Sequence, residues 1–387
     1  MRWDDLDTWR FHWARLVRRV GELHDAGALT DDDLTEAERR MSTWPGWVRR
    51  APLTWSAVTR PVTTTHFDYN EQEEYQRTQL HFERWLPPHP GWRLARVLAL
   101  AQEVVMTEEQ TATLAAQALL SRLEGLTVDS RWIDAGALRS VCQAAPELTF
   151  LSVSGQQMVE AVSGLYAMAV ADASPGLRAL SLCGFALDSL GAEALAAASF
   201  MPALDELDLA ANRVGDGGAL ALGRVLQAPR RLDLARNQIG PVGIAALAPK
   251  LRHADRLSLR DNPLGDAGVA TLAEQGGLES VQDLWLGGVE LTDVGLDAIL
   301  AADPPCLTDL DLTHNQLTDD GVRRLVASPL MSRLVGLVLF HNRLGLGAEK
   351  ALHGHPLAFS LRQSGRLDGR YTVNVSRWPT GLPNAGR

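Results

Sequence analysis

From Leu123 onward the apolar positions follow one skeleton, L-x-x-L-x-L-x-x-N-x-L, which restarts at spacings of 25 to 29 residues. Copies start at Leu123, Leu148, Leu177, Leu204, Pro229, Ala254, Val281, Leu307 and Leu334, and a poorer tenth starts at Leu94. The fourth and sixth places keep the period of two expected of a short strand with one buried face. The tail of each copy, for example VGDGGALALGRVL at 214–226, moves to helical spacing, with Leu220, Leu222, Val225 and Leu226 as its apolar stripe. Repetition of this length predicts strand–helix units that cannot bury their faces alone and are stable by stacking. Copies that begin with Pro229 and Ala254 are expected to have shortened strands in an unchanged register.

The ninth place is Asn212, Asn237, Asn262, Asn315 or Asn342 in five copies, and Arg131, Gln156, Phe185 or Val289 elsewhere. An amide there can bond the backbone of the following turn, and stacked copies would make a ladder of such bonds. Gly215, Gly240, Gly265 and Gly345 fit turns that need unusual backbone angles. Asp216, Asp266 and Asp293 stand where each helix needs an N-cap. The skeleton and its tails resemble leucine-rich repeats of the ribonuclease-inhibitor-like class over about residues 123–350, or from about 94 with the tenth copy. The resemblance implies an α/β solenoid with parallel strands lining a concave face and helices on the convex side.

The ends break the pattern. Residues 1–92 hold eight of the eleven tryptophans and no repeat. LVRRVGELHDAGALTDDDLTEAERRM (16–41) reads as a helix, a stop at Gly27, and a second helix opened by Thr30 and Asp33 as a capping pair. This stretch resembles the SHOCT helical hairpin of bacterial proteins, which implies a role in association. Residues 44–67 read as irregular or extended, 71–86 as a helix ended by proline, and 369–378 as a last strand before a mobile tail. The expected organisation is a mainly helical, Trp-rich capping domain over 1–92, a solenoid over 93–358 and a C-terminal cap and tail over 359–387. The tryptophans read either as the core of that cap or as an exposed aromatic docking patch.

With places four and six inward, places three, five and seven face outward and place eight lies at their edge. The outward columns place acids with Arg231, Arg236, Arg256 and Arg260 in the middle repeats. The last repeats bring Trp285, Val338 and Phe340 among Asp283, Asp309, Asp311, His314 and His341. Trp285 stands where sister copies have aspartate or serine, and Gly287 and Gly288 beside it are expected to leave its ring uncovered. An aromatic with arginines is the composition of a binding hot spot. The competing reading has Trp285 packing over the gap at those two glycines. These twelve residues are the candidate partner-binding set.

Composition narrows the chemistry. The net charge of −10 disfavours nucleic-acid binding. No apolar run has the length of a membrane span, and the charged, aromatic N-terminus is unlike a secretory signal, so a soluble, cytoplasmic protein is expected. Only Lys250 and Lys350 are lysines, and the other basic residues are arginine, as a GC-rich genome would give. Three scattered cysteines, Cys142, Cys183 and Cys306, favour neither a disulfide framework nor a zinc knuckle. Phosphate-loop, nucleophile-elbow and HExxH motifs are absent from the sequence. His353 and His355 in HGHP have metal-holding spacing without supporting ligands, and Cys183 lies on the outward face without a nearby base. No active site and no cofactor is assigned.

The reading that results is a non-catalytic scaffold that binds a partner protein on its concave face, as a subunit of a hetero-oligomeric complex. Two others stay open. One is a regulator of an enzyme, GTPase-activator-like or nuclease-inhibitor-like. The other is an effector enzyme with its catalytic region near the N-terminus.

Overall fold

The computed structural model describes residues 12–41, 53–55, 97–100, 120–129, 135–154, 163–171 and 175–353. The described residues group into two compact units. The first holds those up to 154 and 175–177, and the second holds 163–171 and 178–353. The segments 71–86, 369–378 and the 354–355 part of HGHP lie outside the described residues.

In the first unit, α1 (His12–Asp25) and α2 (Asp31–Met41) are the two helices expected on either side of Gly27. Gly27 between them has φ +63°, a left-handed turn that suits a residue without Cβ. Thr30 and Asp33 cap α2 reciprocally: the Asp33 N–H donates to Thr30 Oγ1 at 3.2 Å, and the Thr30 N–H to Asp33 Oδ2 at 3.0 Å. Leu16, Val20, Leu34, Ala37 and Met41 are buried.

Four parallel strands follow in register: β1 (Leu53–Trp55), β2 (Val97–Leu100), β3 (Gly125–Asp129) and β4 (Phe150–Ser154). The helix α3 (Ala135–Ala144) comes between the last two. Leu98 pairs with Leu126, which puts Ala95 rather than Leu94 in the first place of the tenth copy. The segment 44–67, read as irregular or extended, contributes β1 and so one further position in that register, Leu53 beside Leu98.

The second unit opens with α4 (Ser163–Ala171). Strands and helices then alternate: β5 (Ala179–Cys183), α5 (Ser189–Ala196), β6 (Glu206–Asp208), α6 (Gly215–Val225), β7 (Arg231–Asp233), α7 (Pro241–Leu247), β8 (Arg256–Ser258) and α8 (Gly265–Glu274). They continue with β9 (Asp283–Trp285), α9 (Asp293–Ala302), β10 (Asp309–Asp311), α10 (Asp319–Ala327), β11 (Gly336–Val338) and α11 (Leu346–Leu352). Each strand pairs in parallel with the next, in the register of the leucine skeleton. This is an open α/β solenoid. The place-four and place-six leucines, such as Leu207 and Leu209 or Leu284 and Leu286, are all buried, at most 7 % exposed. β7 and β8 are three residues long, like their neighbours, because Pro229 and Ala254 are buried in the slot that leucine fills elsewhere. In α6 the packed stripe is Gly218, Ala219, Leu222 and Gly223, while Leu220 faces solvent.

Two ladders join successive repeats. The first is the expected asparagine ladder, and it reaches backwards. Asn262 donates to the Leu234 and Leu259 carbonyls (2.8 and 2.9 Å) and accepts from the Asn237 and Ile239 N–H groups (3.0 and 2.9 Å). Asn212, Asn237, Asn315 and Asn342 likewise accept from a backbone N–H of the preceding repeat. The second ladder corrects an expectation. Asp216, Asp266 and Asp293 do not cap their own helices; they lie in the first turn and cap the next one. Asp216 Oδ1 accepts from the Gly240 and Gly243 N–H groups at 2.7 and 2.9 Å. Asp266 accepts from Thr292 and Gly295, Asp293 from Thr318 and Gly321, and Asp319 from Gly345 and Gly347.

Backbone entry into the helices from α6 onward follows from this second ladder, whereas α5 starts from extended Asp188, which accepts from the Gly191 N–H of its own helix. α7, α9, α10 and α11, each capped by the preceding aspartate, start from an extended residue: Gly240, Thr292, Thr318 or Gly345. α6 and α8 follow repeats that carry Ser189 and Pro241 at the aspartate position. They enter through left-handed Gly215 and Gly265, at φ +59° and +57°. Gly240 and Gly345 therefore need no positive φ, contrary to expectation. No helix among the described residues is long and apolar enough to cross a membrane.

Candidate functional site

The sheet face of the second unit, turned away from its helices, carries the candidate residues in columns. Along place three, strand pairing orders Ala179, Glu206, Arg231, Arg256, Asp283, Asp309 and Gly336. Along place five it orders Ser181, Asp208, Asp233, Ser258, Trp285, Asp311 and Val338. Backbone bonds carry the register into places seven and eight: the Ala211 N–H donates to the Ala235 carbonyl, Arg236 to Arg260, Asp261 to Gly287, Gly288 to Thr313 and His314 to Phe340.

Place eight is a left-handed position. Gly184, Ala211, Arg236, Asp261, Gly288, His314 and His341 all have φ between +53° and +76°. Sequence reasoning placed this column at the edge of the face but missed its left-handed backbone, because only two of these seven members are glycine. Asp and His tolerate the region better than most residues, but Ala211 and Arg236 give no sequence signal for it.

Aspartate in place five has a local duty. Asp208, Asp233 and Asp311 each accept from the N–H two residues on, at Ala210, Ala235 and Thr313, all at 2.9 Å. These are Asx turns that hold the chain as it leaves the strand. Trp285 has no such acceptor, so its repeat gives up that bond.

The arginines are spent on neighbouring strands and turns. Arg231 pairs with Glu206 at 2.8 Å, Arg256 with Asp283 at 2.7 Å and Arg236 with Asp261 at 3.0 Å. Arg260 stands 3.5 Å from Asp311, over Gly287. A Cβ on Gly287 would lie 2.5 Å from Thr313 Oγ1 and 3.2 Å from Arg260 Nε, and one on Gly288 would collide with Asp261. The space that the two glycines open is thus filled by Arg260, Thr313 and Asp261, and Trp285 is half-buried rather than uncovered. Val338 and Phe340 are half-buried, Arg236, Arg260, His314 and His341 exposed, and Asp311 buried. The imidazoles of His314 and His341 stack with centroids 4.0 Å apart.

Seven acids on this face, Glu206, Asp208, Asp233, Asp261, Asp283, Asp309 and Asp311, meet four arginines, so the face is net acidic. Of the three acids left over by these pairings, Asp208 and Asp233 are in place five and Asp309 is in place three. Burial, and then the carboxylate of Asp208, push Asp233 up to about 7. Burial raises Asp208 as well. Burial, with Asp208 and Asp233 beside it, pushes the Cys183 thiol up to about 12, which makes it a poor nucleophile. Cys142, Cys183 and Cys306 are all free thiols. Among the described residues no group of three or more His, Cys, Asp or Glu is placed to hold a metal ion.

The Leucine Rich repeat family model matches residues 202–223, 230–248, 256–273 and 304–326. The chain carries leucine-rich repeats. The copy between the last two matches, which contains Trp285 and has Val289 in the asparagine place, is not matched, and neither are the copies that start at Leu123, Leu148, Leu177 and Leu334.

Three solved structures are similar to this leucine-rich repeat chain. One is an internalin (inlF) from Listeria monocytogenes, at 14 % identity, covering 66 % of this chain and 70 % of that one, with a TM-score of 0.43. Another is the Rad7 and Elc1 complex in yeast, at 14 % identity, covering 91 % and 94 %, with a TM-score of 0.40. The third is the TLR13–ssRNA13 complex, at 17 % identity, covering 68 % of this chain but 32 % of that one, with a TM-score of 0.33. No curated protein matches the chain.

Proposed function

We propose that the sheet face of the second unit is a non-catalytic platform for a partner protein, centred on Trp285, Val338 and Phe340. The observation that carries this reading is the state of the face around them. Its arginines are already paired on the protein itself, and its Asx-turn aspartates are committed to backbone. Trp285 replaces one of those aspartates at the cost of a backbone bond, which a merely structural residue would not require. Arg231, Arg236, Arg256, Arg260, Asp283, Asp309 and Asp311 then set orientation and exclude wrong partners more than they add affinity. His314 and His341 edge the patch. The acid excess of the face favours a partner with basic groups.

The chain acts in this reading as one subunit of a larger cytoplasmic complex, with the ribonuclease-inhibitor-like arrangement of repeats presenting the patch. The organisation read from the sequence, 1–92, 93–358 and 359–387, gives the α1–α2 hairpin a separate contact, as its SHOCT-like pattern implies.

A photo-crosslinking residue placed at Val338 tests the platform against one at Val294, exposed on the helix side. Crosslinking from position 338 and not 294, abolished by Trp285→Ala, is the expected result in cells of the native organism. Equal crosslinking from both positions would refute the platform.

A further inference from the structure

The stacked pair His314 and His341 has a property that partner binding does not require. Both residues occupy place eight, both have φ +53°, and the His314 N–H donates to the Phe340 carbonyl at 2.8 Å. Identical backbone conformations on neighbouring turns launch the two side chains in the same direction. The rings therefore lie nearly parallel, 16° apart, at a centroid separation of 4.0 Å, and both residues are exposed. Tolerance of the left-handed region accounts for one histidine. It does not account for two in succession, since Ala211 and Arg236 hold the same backbone in sister repeats.

We propose that His314 and His341 form a two-histidine site for a late divalent transition metal, of the Zn2+, Ni2+ and Cu2+ class that imidazole suits. Zn–N bonds of about 2.0–2.1 Å at a tetrahedral angle place two ligand nitrogens about 3.4 Å apart. Stacked as they are, the rings hold their in-plane lone pairs nearly parallel, so metal binding requires the two imidazoles to splay, by rotation about side-chain bonds, until one nitrogen of each meets the same ion. The hydrogen-bonded turns that carry them stay fixed. Neutral imidazole supplies both donors, and water takes the remaining positions. Gly288, one turn before His314 in the same column, adds no side chain of its own beside the first ring. The site does not depend on the platform reading, because the metal alone is its ligand.

The test uses the untagged full chain, with Cu2+ followed by electron paramagnetic resonance and Zn2+ by calorimetry. His314→Asn and His341→Asn are the variants, because asparagine also tolerates the left-handed backbone. Alanine at either position is the second choice, since Ala211 occupies the equivalent turn. The expected outcome is one copper centre with two imidazole nitrogens that each variant abolishes, and Zn2+ affinity lower by at least about tenfold in each. Equal melting temperatures in chelator separate this loss from misfolding. A one-nitrogen copper signal, or a variant that binds both metals as the wild type does, overturns the site.

Discussion

Asp266 holds Thr292 of the following repeat at three points, counting the Gly295 bond that secures the same helix start. Its Oδ1 accepts from the Thr292 N–H at 2.8 Å and the Gly295 N–H at 3.0 Å, and its Oδ2 accepts from the Thr292 hydroxyl at 2.6 Å. This junction is the one in the second unit where the asparagine ladder stops, because Val289 replaces asparagine. Asp266→Ala is therefore expected to cost about 2–3 kcal/mol by leaving helix N-terminal donors without an acceptor. Asp216→Ala, at a junction that also has Asn237, should cost about 1 kcal/mol. Urea unfolding measures both, and hydrogen exchange at Thr292 and Gly295 should rise in the first variant. Equal costs would mean that the two ladders do not back each other up.

The converse junction lies between the repeats of β7 and β8. Pro241 removes the carboxylate there, so of the two side-chain ladders only the asparagine one crosses, with Asn262 bonded to Leu234, Asn237 and Ile239. Asn262→Val keeps the volume but strands those buried backbone groups, and a loss of about 3–5 kcal/mol is expected. Because a stack loses cooperativity at its weakest interface, the same variant should split the urea transition into two phases. A single transition with a loss under about 1 kcal/mol would refute the role assigned to Asn262.

Asp233 makes stability fall with rising pH. Its carboxyl titrates near 7 when folded, because it is buried and faces Asp208, with Arg260 opposing. An unfolded aspartate titrates near 3.9. A raised folded value contributes stability that is complete below the unfolded value and lost as pH rises through the folded one. Wild-type melting temperature should therefore decline between about pH 4 and 7 from this group. Asp319 acts in the opposite sense: the Gly345 N–H and its neighbours hold it below the usual carboxylate range, so its contribution is lost only toward strong acid. Asp233→Asn keeps an acceptor for the Ala235 N–H and removes the proton. It should melt higher than wild type at pH 8, by about 2–4 °C for each kcal/mol recovered, and show no gain at pH 4. A difference independent of pH would exclude Asp233 as its source.

The skeleton of leucines was legible because burial enforces it: Leu207, Leu232, Leu257, Leu284 and Leu310 fix the register, and the outward columns follow by alternation. The asparagine ladder was legible for the same reason, since a buried amide is intolerant of replacement. Three features were not. Asp266 looks like the cap of its own helix, because the distance between stacked repeats is invisible along the chain. Left-handed Ala211 and Arg236 are held by the backbone bonds of the sheet, against their own preferences. Gly287 promised an open ring for Trp285, but Arg260 reaches over it from the neighbouring repeat.

Trp285→Asp separates the two readings of that tryptophan. The repeat would regain the residue its sisters carry, with a carboxylate placed to accept from the Gly287 N–H as Asp311 does from Thr313. If Trp285 is there for a partner, the fold gains an Asx bond and loses a half-buried ring, and stability should stay within about 1 kcal/mol of wild type. Crosslinking from position 338 should meanwhile fall at least about tenfold, as at an aromatic hot spot. If the ring is instead part of the packing, the same change removes apolar burial and adds a charge beside Asp311, and a cost above about 3 kcal/mol follows. Denaturant unfolding with crosslinking on the same preparation distinguishes the two, and a destabilised variant that keeps its crosslink would leave the patch without its centre.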